Sequence, residues 1–159
     1  MSGELLYFIE PGVYNHTEIA QLLREHPEIK YVSLVGIDLA GNDTDEKIPV
    51  ALFIEDMQDY IDGSAVQTDG SSVVLHGIAT LNNAKVDILA DPDANWFIDY
   101  NLQNIDPETK KPVGTLRIPS FLRHNGRLVD SRSILKNSLE YVKTELMSLL
   151  KNPAELSGL

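Results

Sequence analysis

Tyr31-Val32-Ser33-Leu34-Val35-Gly36-Ile37-Asp38, then Gly41-Asn42-Asp43, then Lys47-Ile48-Pro49-Val50-Ala51-Leu52-Phe53-Ile54: two apolar, β-branched runs flank a cluster of turn formers. The first run has strand character, the Gly-Asn-Asp triplet supplies turn chemistry, and the second run predicts a returning strand that completes a hairpin. Pro49 has no backbone N–H to donate, so it suits an edge position. Acidic Asp43, Asp45 and Glu46 read as a solvated hairpin tip.

Toward the N-terminus, the apolar run 5–9 predicts a strand stopped by Glu10-Pro11-Gly12. Asn15 is placed to cap a helix, with Glu18 three residues on, and Ile19, Leu22 and Leu23 share a face. His26-Pro27 ends that helix, because the residue before proline is steered away from helical angles. On the other side, residues 55–61 predict a short helix with Met57, Tyr60 and Ile61 on one face, broken by Asp62-Gly63-Ser64. Short strands are expected at 72–75, 85–89 and 96–102, and a long polar hairpin at 104–114 leads into Arg117-Ile118-Pro119. Residues 122–128 show little periodicity and read as a loop. The last helix has the plainest pattern: from a cap at Asp130 or Ser131, Ile134, Leu135, Leu139, Val142, Leu146, Leu149 and Leu150 form one apolar stripe, and Asn152-Pro153 stops it. Several strands with helices at both ends predict an α+β domain built on a sheet.

The whole chain has 159 residues, enough for one compact domain with an added arm, and 43% of them are apolar. No apolar run reaches about 18 residues, so no membrane partner is expected. The first residues lack the basic region and cleavage site of a secretory signal. Absence of cysteine excludes disulfides and thiolate chemistry and fits a cytoplasmic protein. A net charge of −11 argues against nucleic acid as a partner, since phosphate binding needs clustered Lys and Arg.

Common catalytic signatures are missing: there is no phosphate loop, no dinucleotide fingerprint and no nucleophile elbow around Ser71 and Ser72. The four histidines are scattered without metal-ligand spacing, and no metal site is expected. Asp91-Pro92-Asp93-Ala94-Asn95 opens like a calcium loop, but Trp96 and Leu102 occupy the positions that need glycine and glutamate, so it reads as a turn. One segment is unusual. Gln67-Thr68-Asp69-Gly70-Ser71-Ser72 packs short polar residues against an apolar stretch. A carboxylate held in such a loop can stay ionised and bind a cation or accept a proton; it can equally be an Asx-turn that starts a strand.

Asp69-Gly70-Ser71-Ser72 followed by an aliphatic residue resembles the Asp-Gly-Ser-Ser-Ile signature of glutamine synthetases. Three further landmarks follow the family's order. Ile37-Asp38-Leu39-Ala40-Gly41 with Ile48-Pro49 resembles its Asp-x-x-Gly hairpin. Asp87-Ile88-Leu89-Ala90-Asp91-Pro92-Asp93 is similar to its Ser-Asp-Met-x-Leu-x-Pro-Asp, and Asp130-Ser131-Arg132 to the Asp-Pro-Arg that opens a helix. The departures are Thr68 for an aromatic residue, Val86 for serine, Ser131 for proline, His76 for Phe or Trp, and a stretch about four residues longer between His76 and Asp87.

The resemblance implies a β-grasp-like mixed sheet with a packed helix over residues 30–128. It leaves 1–29 as a strand-and-helix extension, and 129–159 as a helix and linker toward a C-terminal catalytic domain. It implies ATP-dependent joining of glutamate and ammonium through γ-glutamyl phosphate, with Mg2+ or Mn2+, in an assembly where this domain completes a neighbouring subunit's site. Asp69 then takes the catalytic role beside the ammonium, Gly70, Ser71 and Ser72 form the substrate-binding loop, and His76 is a nucleotide contact. ATP and metal would sit in the full-length enzyme, with none expected on this chain alone, which is expected to be inactive. Two other readings remain: a ligase using an amine other than ammonia, and a free-standing β-grasp module that binds a protein along a sheet edge.

Overall fold

The computed structural model describes residues 4–44, 46–70, 72–73, 75, 77–79 and 83–150. Asp45, within the expected hairpin tip, and Val74, within the expected strand 72–75, lie outside them. The chain begins with a two-residue strand β1 (Phe8–Ile9) and helix α1 (His16–Glu25). The capping box forms as expected: Asn15 Oδ1 accepts the Glu18 N–H at 3.0 Å and Glu18 Oε2 accepts the Asn15 N–H at 2.8 Å. Ile19 and Leu23 are buried, and His26 caps the end.

Strand β2 (Ile29–Val35) leads through the Gly41 turn to β3 (Lys47–Pro49), which pairs antiparallel with it, Tyr31 opposite Pro49. Pro49 lies on an edge strand, as expected. The second arm of the hairpin is much shorter than predicted, however, because residues 50–54 are helical. Val50–Glu55 forms α2, followed by α3 (Met57–Asp62). Within that apolar run, Val50, Phe53 and Ile54 sit at helical spacing and pack on the core, while Ala51 and Leu52 are exposed. A continuous apolar run satisfies either period, and here burial of Phe53 selects the helix. Gly63 ends α3 with φ of 80°, a left-handed conformation that glycine adopts without strain.

β4 (Gln67–Asp69), β5 (Lys85–Ala90) and β6 (Trp96–Ile105) follow, and then the 13-residue β7 (Pro112–His124). A turn at Asn125-Gly126 leads to β8 (Arg127–Leu128), and α4 (Ser131–Leu149) closes the described chain. Two expectations fail here. The strand expected at 72–75 is displaced upstream to β4, with Ser72 and Val73 in a turn. Residues 122–128 are mostly strand. Burial alternates along β7, but Ser120 and His124 take inward positions, so the period of two is carried partly by polar residues. Ser120 donates to the Ile118 carbonyl and His124 Nδ1 to the Lys85 carbonyl, which makes their burial tolerable.

β7 organises the sheet. Its first half lies between antiparallel β6 and parallel β2, giving the order β1-β6-β7-β2-β3, and its second half pairs with β5 and β8. Among the described residues the result is a mixed, β-grasp-like sheet of eight strands in an α+β domain with a long C-terminal helix. One core joins Ile19 and Leu23 of α1, Phe53 of α2 and Met57 of α3 to Val32, Leu34, Trp96, Leu116 and Ile118 of the sheet. Phe53 meets Trp96 edge-on, with ring centroids 6.0 Å apart. Among the described residues, no helix is long and apolar enough to cross a membrane.

Candidate functional site

β4 leaves the Gly63 cap and runs antiparallel to β5, with Thr68 opposite Val86 and Asp69 opposite Lys85. Asp69 is its last residue and is exposed to solvent. The chain then turns: Gly70 N–H donates to the Ala84 carbonyl, and Ser72 N–H donates to the Asp69 carbonyl at 2.8 Å. Val73 and Leu75 are buried and anchor the turn to the core. A side chain at Gly70 would collide with Ala79 and lie 3.1 Å from the Ala84 oxygen, so glycine is required here by proximity. Ser72 is exposed beside this turn. Ser71 and His76 lie outside the described residues.

The other acidic landmarks are committed to the fold, and Asp38, Asp91 and Asp130 converge on the start of α4. Buried Asp38 accepts the N–H groups of Ala40 and Asn42 at 2.9 Å each, shaping the Gly41 turn. Its carbonyl accepts the Ser131 hydroxyl, and the Ile37 carbonyl accepts the Ser131 N–H at 3.0 Å. Proline could make neither bond, so serine at this position ties α4 to the hairpin. Asp130 is fully buried; its two carboxylate oxygens accept Leu122 N–H at 2.9 Å and Ser133 N–H at 2.8 Å. Asp91 accepts Asp93 N–H in an Asx-turn and pairs with Arg132, while Asp87 pairs with Arg123 at 3.3 Å. The segment 91–95 is therefore the turn that was expected.

Asp69 thus differs from Asp38, Asp91 and Asp130 in its exposure. Among the described residues, no group of three or more His, Cys, Asp or Glu side chains is placed to hold a metal. These residues do not by themselves fit a divalent-ion site, and no chemical step is assigned to one here. A cavity that sequence spacing could not reveal lies elsewhere, where residues 11–19 meet Ile61, Ala90–Pro92 and Trp96. Its walls are adjacent only after folding.

The fold is that of an α+β domain shared with enzymes of glutamine synthetase type. The glutamine synthetase of Plasmodium falciparum matches with a TM-score of 0.59 and 17% identity over 83% of this chain and 23% of that one. A structure described as a GmaS/ADP complex matches with a TM-score of 0.55 and 19% identity, over 81% and 26%. The chain therefore spans about a quarter of the length of these solved structures. No protein-family model matches the sequence, and no curated protein matches it. The likeness is one of fold.

Proposed function

We propose that this chain is the N-terminal, β-grasp domain of a glutamine synthetase-type ligase, which amidates glutamate with ammonium through γ-glutamyl phosphate. The observation that carries the reading is the conjunction of the shared fold with an exposed Asp69 at the end of β4, in the Asp-Gly-Ser-Ser sequence. In this reading Asp69 accepts hydrogen bonds from ammonium and concentrates the cation. Asp69 takes one proton from the bound ammonium, the lone pair of the ammonia so freed attacks the γ-carbon, and a second N–H proton leaves with the departing phosphate as the C–O bond to it breaks. Gly70 and Ser72, with Ser71, shape the substrate-binding loop, and His76 serves as the nucleotide contact.

ATP, Mg2+ or Mn2+ and glutamate belong in this scheme to a C-terminal catalytic domain, and the site is completed by a neighbouring subunit. A cytoplasmic location is part of this reading and is in keeping with a chain without cysteine. This chain alone is expected to release no phosphate from ATP, with or without glutamate and ammonium. The longer protein should release phosphate in an ammonium-dependent manner, and Asp69→Ala should lower that rate by about 100-fold or more while circular dichroism stays unchanged. Activity with another amine but not with ammonium would move the substrate and keep the ligase. No turnover with any amine would favour a free-standing binding module and sink the proposal.

A further inference from the structure

Lys85 opens β5 directly opposite Asp69 in the antiparallel ladder. Residues so paired project to the same face of a sheet, with Cβ atoms about 4.5–5.5 Å apart. The lysine backbone is fixed from behind. It lies beyond the terminal pair of β5 with β7, Asp87 opposite Arg123, and its carbonyl accepts Nδ1–H of buried His124 at 2.8 Å. Its side chain is 62% exposed, and the amine lies 3.3 Å from Asp87 Oδ1, on the same strand. Among the described residues that oxygen is buried without a hydrogen bond, so the Lys85 charge beside it offsets its burial. The other oxygen, Oδ2, accepts from Nε and Nη2 of Arg123 at 3.3 Å each. A flexible four-carbon stem thus carries its ammonium between two carboxylates, one across the ladder and one along it.

We propose that Lys85 sets how strongly Asp69 attracts a cation, and that Asp87, oriented by Arg123, limits this by anchoring the lysine amine on its own strand. The geometry stands on this chain alone; that the cation is ammonium rests on the ligase reading above. A tethered amine competes with free ammonium for a carboxylate at an effective concentration on the order of millimolar. Its charge also lowers the proton affinity of a carboxylate it approaches. Moving the amine from Asp87 to Asp69 therefore weakens cation capture and proton acceptance together. Exposed pairs of opposite charge are weak, so the effect is a few-fold and fades with added salt.

The direct readout is the titration of the Asp69 carboxyl carbon by NMR in this chain. Asp87→Asn keeps the shape of the side chain and releases the lysine, so the Asp69 midpoint should fall by about 0.3–0.7 pH unit. Adding Lys85→Met should reverse that fall, whereas Lys85→Met alone should raise the midpoint by no more than about 0.2. That inequality is decisive, because loss of the Asp87 charge acts on Asp69 through space whether or not the lysine moves. Equal effects of Lys85→Met with and without Asp87→Asn, or no effect in either background, overturn the proposal. In the longer protein, the KM for ammonium should rise about two- to fivefold in Asp87→Asn and return in the double variant, with kcat changing less than KM. Turnover that survives Asp69→Ala sinks the ligase reading, and the titrations still decide the role of Lys85. Turnover lost in Asp69→Ala, with an ammonium KM indifferent to Lys85→Met in the Asp87→Asn background, overturns the proposal while the ligase stands.

Discussion

At Gly70 the chain passes so close to Ala79 and the Ala84 carbonyl that a methyl group has no room. Gly70→Ala should therefore cost about 1–3 kcal/mol by overpacking, read as a lower midpoint in urea unfolding. The next residue scale effect is larger. Asp130 is an N-cap for α4 and also the acceptor for a buried strand N–H, so it holds two elements at once. Asp130→Ala leaves both donors unsatisfied and should cost about 2–4 kcal/mol in the same measurement. Sequence reading placed a cap at Asp130 or Ser131, because Ser, Thr, Asp and Asn before an apolar stripe signal one. It had no means of seeing the Leu122 bond, which depends on the path of β7.

Among the elements, α4 follows its sequence most closely, yet its apolar stripe is uncovered in this chain. Leu135, Leu139 and Val142 are 62%, 53% and 50% exposed, and among the helix side chains described only Ser133 is buried. A stripe that wide on one helix marks a surface for another body of protein. Leu139→Lys should therefore leave the unfolding midpoint of this chain within about 0.5 kcal/mol of its original stability. It should also reduce concentration-dependent self-association in sedimentation velocity. A large loss of stability would mean that α4 packs on its own domain in solution. The misread elements share a cause: α2 and the end of β7 each carry a pattern that local sequence leaves ambiguous. Phe53 beneath α2 and the inward Ser120 and His124 of β7 are explained only by what they touch.

Across the whole molecule, two ion pairs with buried carboxylates fasten the β6–β7 hairpin to the start of β2. Lys30 bonds Asp106 at 2.9 Å, and Lys111 bonds fully buried Glu28 at 2.9 Å. The Lys30 hydrogen bond, aided by Thr109 and the Glu108 N–H, holds the Asp106 carboxyl down at about 2. Burial alone would push Glu28 up, but the hydrogen bonds from Lys111, its own backbone and His26 together hold it below its usual value. Both carboxyls are depressed, so their contribution is in force above the unfolded value of about 4 and lost as pH falls below it. Stability should therefore decline between about pH 4 and pH 2, and Lys30→Met should flatten part of that decline in acid titrations of the urea midpoint. Sequence alone determined the elements whose signals are local: the capped α1, the Gly41 turn, the α4 stripe and the α+β class. Helical period, capping chemistry and turn residues act over a few neighbours, so they are readable without the fold. Tertiary structure alone decided that β7 spans both halves of the sheet, that 50–54 coils into a helix, and which landmarks are buried. It also brought residues 11–19 to Trp96 to enclose the cavity. Those outcomes depend on burial and on bonds between residues far apart in the chain, which no short window contains.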